Sequence, residues 1–214
     1  MSKYSNSDHY IDAKTGILKN RLGITSEVEL EKAEADFAGS RSFQLSKSPL
    51  PGKFDFDHLK AIHYYLFKDL YEWAGQARDI DIAKGDNFFA HHSHIEAAAA
   101  EMSAKLAEEK YLNGLSKSAF AERAAFYLGE LNALHPFREG NGRAQREFIS
   151  HLAYKNGYFI EWKNINQQDM ITASIESFKK GDCSKFATYI RANIWDLEKD
   201  SSSPNSGKTS EIIP

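Results

Sequence analysis

Apolar positions recur along most of this chain at the three- and four-residue spacing of amphipathic helices. The clearest stripe runs through Leu59, Ile62, His63, Leu66, Phe67, Leu70 and Tyr71, with Asp57 placed to cap its start. Upstream, Ser26 with Glu29 three residues later forms a capping-box pattern, and Val28, Leu30, Ala33, Phe37 and Ala38 continue at near-helical spacing towards Leu45. A break at Ser48-Pro49-Leu50-Pro51-Gly52 separates the two helices. Helical spacing returns over 94–110, 118–134, 143–156, 167–179 and 184–199, with Gly157 placed as a C-terminal cap. One stretch departs from it. Ile80 and Ile82 alternate with Asp79, Asp81 and Ala83, Lys84-Gly85-Asp86-Asn87 is turn-forming, and Phe88-Phe89-Ala90 follows, which predicts a short hairpin over about 78–92. Residues 1–24 read as an arm with a turn at Thr15-Gly16, and 200–214, rich in Ser, Asn, Gly and Pro, as a disordered tail or linker. The expected fold class is all-α, one domain over 25–199 interrupted by a single hairpin.

Composition narrows what such a bundle can do. With 214 residues, 42% of them hydrophobic, the chain can bury a sizeable core. Lys and Arg number 27 against 30 Asp and Glu, a formal net charge of -3. No basic field therefore draws the chain onto nucleic acid, and any anion must be held by a local site. The single cysteine, Cys183, excludes an intrachain disulfide and a four-cysteine zinc site. No apolar run, the four alanines Ala97 to Ala100 included, approaches a membrane span, and Met1 to Tyr10 is too polar for a signal peptide. A cytoplasmic location is expected, or translocation by a secretion system that needs no such peptide.

The chemistry concentrates between His135 and Arg146, which read His-Pro-Phe-Arg-Glu-Gly-Asn-Gly-Arg-Ala-Gln-Arg between two expected helices. Pro136 stops the first helix near Leu134 and presents His135 at a loop start. Gly140-Asn141-Gly142 allows positive φ angles that turn successive N–H groups into one concavity, at the positive end of the next helix dipole. Arg143 and Arg146, one turn apart, can converge on a polyphosphate, and Glu139 offers the hard oxygen that Mg²⁺ prefers. A histidine that titrates near neutrality, a metal carboxylate, a phosphate nest and two arginines together describe phosphoryl or nucleotidyl transfer. The local pattern does not separate attack at the α-phosphate from attack at the γ-phosphate.

This stretch resembles the active-site signature of the Fic family, His-Pro-Phe-x-acid-Gly-Asn-Gly-Arg-x-x-Arg, at every fixed position. The similarity extends to the arm from Thr15-Gly16 to Gly23-Ile24, to Leu70-Tyr71-Glu72-Trp73-Ala74-Gly75 and to Leu131-Asn132-Ala133-Leu134, about residues 4–193 in all. It implies a Fic-type helical bundle with one short β-hairpin flap. It also implies a protein adenylyltransferase that moves AMP from ATP to a Ser, Thr or Tyr hydroxyl of a target protein, with Mg²⁺. His135 is implied as the general base, Phe137 as the loop's core anchor and Glu139 as the Mg²⁺ ligand. Asn141 and the backbone of Gly140 and Gly142 would cradle the α- and β-phosphates, with Arg143 on the β-phosphate and Arg146 on the γ-phosphate. The flap, with Ile80, Asp81, Ile82, Ala83, Lys84 and Gly85, would register an extended target segment by β-strand addition. Topoisomerase subunits and small GTPases are the target classes the resemblance suggests. Glycine at 142, where the Doc-type kinase branch carries lysine, favours AMP transfer over phosphate transfer. A non-catalytic nucleotide-binding module would carry a degraded motif, and this one is intact.

Many Fic proteins restrain themselves with Ser/Thr-x-x-x-Glu followed by Gly or Asn, whose glutamate pairs with the second motif arginine. Here the matches Thr25 to Glu29, Ser118 to Glu122 and Thr172 to Glu176 are followed by Leu30, Arg123 and Ser177. The resemblance thus implies inhibition of Arg146 in trans by a small antitoxin-like partner. Outside the motif, His91, His92 and His94 have no cysteine or acidic ligand at metal-site spacing and are expected at the flap edge or a nucleotide-pocket wall. Phe88 and Phe89 fit either the core or an adenine pocket, and His63 reads as a packed core residue. Ser206-Gly207-Lys208-Thr209 resembles the end of a phosphate-binding loop, but Ser202 replaces the first glycine and the segment reads as linker. Cys183 reads as inert.

Overall fold

A computed structural model describes residues 8–84 and 87–197; Gly85 of the expected flap, the last residues of the expected domain and the whole 200–214 segment lie outside them. The capping signals act where helices start. Ser26 Oγ accepts from the Glu29 N–H at 3.4 Å and opens α1 (Glu27–Lys47). α2 (Phe56–Phe67) is capped by Asp55, whose Oδ1 accepts from the His58 N–H at 2.9 Å, and not by Asp57 as expected. Asp57 lies instead in the first turn, where the helix dipole favours an acid, and pairs with Lys60 at 2.9 Å.

The flap is smaller than its apolar alternation predicts. β1 (Ala83–Lys84) and β2 (Asn87–Phe88) pair antiparallel, with Ala83 opposite Phe88, while Ile80 and Ile82 precede the ladder. α3 (Ile95–Glu108) follows, then α4 (Lys117–Leu134), whose Phe120, Ala121, Ala124, Tyr127, Leu128 and Leu131 are buried on all sides because other helices cover it. α5 (Asn141–Lys155) packs across α2 and α4, and α6 (Gln167–Lys180) and α7 (Ser184–Ala192) close over the other side of α4. Gly129 permits that closure: a Cβ there would lie 2.6 Å from both Cys183 Sγ and Ser177 Oγ.

The last expected helix ends early. Asn193 Nδ2 donates to the Tyr189 carbonyl at 2.9 Å and finishes α7, after which β4 (Ile194–Asp196) pairs antiparallel with β3 (Tyr158–Ile160). The run to Lys199 is therefore not one helix, and a second two-stranded sheet joins the flap in an otherwise helical bundle. Its cross-strand pair Ile160 and Ile194 is buried against the core, which favours the sheet. The arm also folds onto the bundle. Asp12 Oδ1 accepts from the Lys14 and Thr15 N–H groups at 2.9 and 3.0 Å, and Tyr10 and Leu18 are buried.

Candidate active site

The motif loop joins the C-terminus of α4 to the N-terminus of α5. His135 caps α4 with φ +44°, a left-handed conformation that a non-glycine residue keeps only where its surroundings hold it. Arg78 does much of the holding. Its guanidinium is buried; Nε donates to the His135 carbonyl at 2.8 Å, Nη1 to the Ile80 carbonyl at 2.6 Å, and Nη2 to the Ala90 carbonyl. The Arg78 N–H donates to the Pro136 carbonyl at 2.9 Å. Burial lowers the guanidinium pKa from its ordinary value, and carbonyl oxygens stand in for the lost water. One buried cation thus ties both legs of the flap to the motif loop. No motif or periodicity marks Arg78 in the sequence.

The His135 Nδ1 lies 3.2 Å from the Asn132 carbonyl, which can only accept a hydrogen bond. The neutral ring therefore carries its proton on Nδ1 and presents Nε2 as a proton acceptor. Phe89 stacks on the ring, centroids 3.7 Å apart and planes at 14°, and meets Phe178 edge-on at 5.4 Å. Beside this stack is a cavity of about 370 Å³ lined by Phe88, Phe89, Met102, Ala133, Leu134 and Phe178. Neither Phe88 nor Phe89 is a core residue; Phe88 is exposed, and Phe89 supports the imidazole.

Phe137 is buried and stacks on His63 at 3.8 Å and 19°. The Gly75 N–H donates to His63 Nδ1 at 2.9 Å, which leaves the proton on Nε2, where it is donated to the Glu139 carbonyl at 2.9 Å. Burial lowers the His63 pKa to about 3, so the ring is neutral and serves to position the Glu139 backbone. The apolar stripe of α2 predicts its burial; its contact with Glu139, 76 residues away, has no sequence signal.

Gly140 and Gly142 have different reasons to be glycine. Gly140 adopts φ +79°, and a Cβ would lie 2.4 Å from Phe67 Cε2. Gly142, for which a positive φ is expected, is an exposed residue in the first turn of α5 without one, and a Cβ there would meet only Arg146 Nη1, at 3.5 Å. Asn141 uses its carboxamide on the loop: Oδ1 accepts from the Phe137 N–H at 2.8 Å and Nδ2 donates to the Phe137 carbonyl at 2.7 Å. What position 141 offers an anion is its N–H. No side chain caps α5, although Glu139 Oε1 accepts from the Gly140 N–H at 2.9 Å. A helix end of this kind, rimmed by one carboxylate, can seat an anion.

The two arginines complete it. Arg143 lies over the Phe67 ring at 4.9 Å and donates to Glu34 of α1, whose other oxygen accepts from the Tyr71 hydroxyl. Burial and then the Glu34 charge push the Tyr71 hydroxyl pKa far up. Arg146 has no carboxylate within ion-pair distance among the described residues, and burial, with the nearby Arg143 charge, lowers its pKa while Glu147 opposes the shift. A cation disfavoured in this way is stabilised by an added anion. Leu18, Leu30, Glu31, Glu34, Glu139 and Arg143 line an adjoining cavity of about 420 Å³. In the flap, Ile80 packs on the core, Asp81 hydrogen-bonds at the flap base, Ile82 accepts from the Phe89 N–H at 3.3 Å, and Ala83 and Lys84 form β1.

The loop between α4 and α5, with a hairpin nearby, is shared with proteins of known family. The model of the Fic/DOC family matches residues 53–153, and the chain belongs to that family. Protein adenylyltransferase VbhT of Bartonella schoenbuchensis is 49% identical over 195 residues, 91% of this chain and 41% of the relative, so the chain spans well under half of that protein. Probable protein adenylyltransferase Fic of Escherichia coli K12 is 40% identical over 75% of this chain and 80% of its own length. Among solved structures, the N-terminal Fic domain of a VirB-translocated Bep effector from Bartonella quintana, with bound ADP, superposes with a TM-score of 0.81. It shares 30% identity and covers 88% of this chain and 95% of its own. No described helix is long and apolar enough to cross a membrane.

Proposed function

We propose that this chain is a protein adenylyltransferase that transfers AMP from ATP to a hydroxyl side chain of another protein. The reading is carried by His135, whose Nδ1 lies against the Asn132 carbonyl, in the loop that leads into a helix terminus with no side-chain cap and two arginines, one of them without an ion pair among the described residues. The target oxygen attacks the α-phosphorus, its proton passes to His135 Nε2, and the bond from that phosphorus to the β-phosphate bridging oxygen breaks, releasing pyrophosphate. Backbone N–H groups of Gly140, Asn141 and Gly142, with Arg143 and Arg146, take the phosphate charges. Glu139 fits Mg²⁺ in kind, a partly exposed carboxylate at the anion seat whose other ligands would be water and phosphate. When bound, the ion would neutralise phosphate charge. The flap would align the target strand, and the apolar cavity beside Phe89 suits the adenine ring.

Phosphate transfer of the Doc type is the rival reading. A side chain at 142 would begin 3.5 Å from the Arg146 guanidinium and bring a lysine charge into the γ-phosphate seat; glycine leaves that seat open, which supports AMP transfer. ATP labelled on the α- and then on the γ-phosphate separates the two. We expect α-label on protein, none from γ-label, and loss of transfer in His135→Ala with ATP affinity within about threefold of the parent. Transfer of γ-label alone would establish the kinase reading. The seat at Arg146 also suits a glutamate from an antitoxin-like partner. A purified chain that is already restrained, and is activated by substitution of one of its own glutamates, would rule that partner out. Topoisomerase subunits and small GTPases remain the target classes to test, as does translocation into a host cell of the kind the Bartonella quintana effector's name describes.

A further inference from the structure

Asp81 precedes β1, and His91 and His92 follow β2, so the hairpin's reversal brings the three to one point at the flap base. Asp81 Oδ2 lies 3.2 Å from His91 Nε2, and Asp81 Oδ1 lies 3.0 Å from His92 Nδ1. All three ligand atoms fall within 4.8 Å of one another. Two bonds of about 2.0–2.1 Å at a tetrahedral centre place their ligand atoms about 3.3 Å apart, so an ion can enter with small side-chain movements. The acidic ligand missing from the histidine spacing is supplied by the fold.

Supporting contacts are present. The His92 N–H donates to Asp81 Oδ1 at 2.8 Å and fixes the carboxylate. His91 Nδ1 accepts from the Ser93 N–H at 3.4 Å and lies 2.8 Å from Ser93 Oγ, which orients the ring with Nε2 towards Asp81; an ion binding there displaces the Nε2 proton. Asp81 and His91 are about half exposed, which leaves coordination positions for water. We propose that Asp81, His91 and His92 form a binding site for a divalent transition-metal ion of the zinc class. Paired imidazoles with one carboxylate select Zn²⁺, Ni²⁺ or Cu²⁺ over Mg²⁺, so this site is separate from the one implied at Glu139. Arg78 Nη1, 3.9 Å from Asp81 Oδ1, carries a like charge and weakens the ion's hold. The ion cross-links the two legs of the flap, which Arg78 already ties to the His135 loop.

Equilibrium dialysis of the full, tag-free chain at pH 7.5 against ZnCl₂, with CoCl₂ as a visible-absorption probe, tests this. One ion per chain is expected, with affinity at least about tenfold weaker in His91→Gln, His92→Gln and Asp81→Asn. His9→Gln, which removes another exposed histidine paired with an aspartate, leaves it unchanged. Zn²⁺ slows amide exchange over 80–92 in the parent and not in the doubly substituted His91→Gln/His92→Gln chain, whose thermal midpoint without metal matches the parent's. Absence of saturable binding, or retention of it in that double variant, overturns the site.

Discussion

Arg143 is held from two sides, by the Phe67 ring and by a buried carboxylate that also receives the Tyr71 hydroxyl. Glu34 is thereby a positioning residue for the arginine next to the anion seat. Glu34→Gln keeps the acceptor and removes the charge, and it should cost about 1–3 kcal/mol of stability. It should also raise the ATP KM several-fold with a smaller change in kcat, measured by label transfer over a range of ATP concentrations beside a urea melt. An unchanged KM would show that Glu34 serves packing alone. Arg143 is legible in the sequence because it lies one turn from Arg146 after a glycine loop. Glu34 is not, since it is one acid among several on α1 and its partner lies 109 residues downstream. Arg78 is hidden for the same reason, its partners being backbone carbonyls that the sequence does not distinguish.

The N-terminus of α5 shows how an element turns similar residues to different ends. Gly140→Ala combines a left-handed backbone with an overlap against Phe67, and should destabilise by about 2–4 kcal/mol. Gly142→Ala lies in a helical turn in ordinary contact with Arg146, and should be neutral or stabilising by up to about 1 kcal/mol. Urea denaturation of the two variants checks the contrast; equal losses would refute it. Helix starts were legible to within a few residues because caps are local chemistry, as at Ser26, although Asp55 and Asp57 compete for one role and the chain path settles it. The strands β3 and β4 were not, because Ile194, Trp195 and Leu197 fit helical spacing as well as strand spacing and only the waiting partner Ile160 selects the sheet.

Across the whole molecule, histidines buried without charge make the fold sensitive to acid. Burial lowers His63 to about 3 and His151 to about 4, each below the ordinary 6.5. The unfolded chain thus takes up protons first, so stability is full above about pH 6.5 and is lost as pH falls towards 4 and 3. His151 alone accounts for on the order of 3 kcal/mol across that range. Urea midpoints at pH 7.5, 6 and 5 should fall progressively, and His151→Leu should flatten the slope; a flat profile in the parent would show that these rings are protonated when folded. The arm takes part as well, since Asp8 accepts from Arg138 Nε and Nη2 at 2.8 and 2.6 Å in a buried pair that joins the chain's start to the motif loop. The sequence by itself determined all the helices but the extent of the last, the hairpin's place, the motif and the family, because periodicity, caps and a contiguous loop are short-range properties. Tertiary structure alone decided which charges meet: Glu34 with Arg143, Asp8 with Arg138, Arg78 with the carbonyls around His135, and Asp81 with two histidines. Those pairings depend on burial and on distances across the fold, which no local pattern encodes.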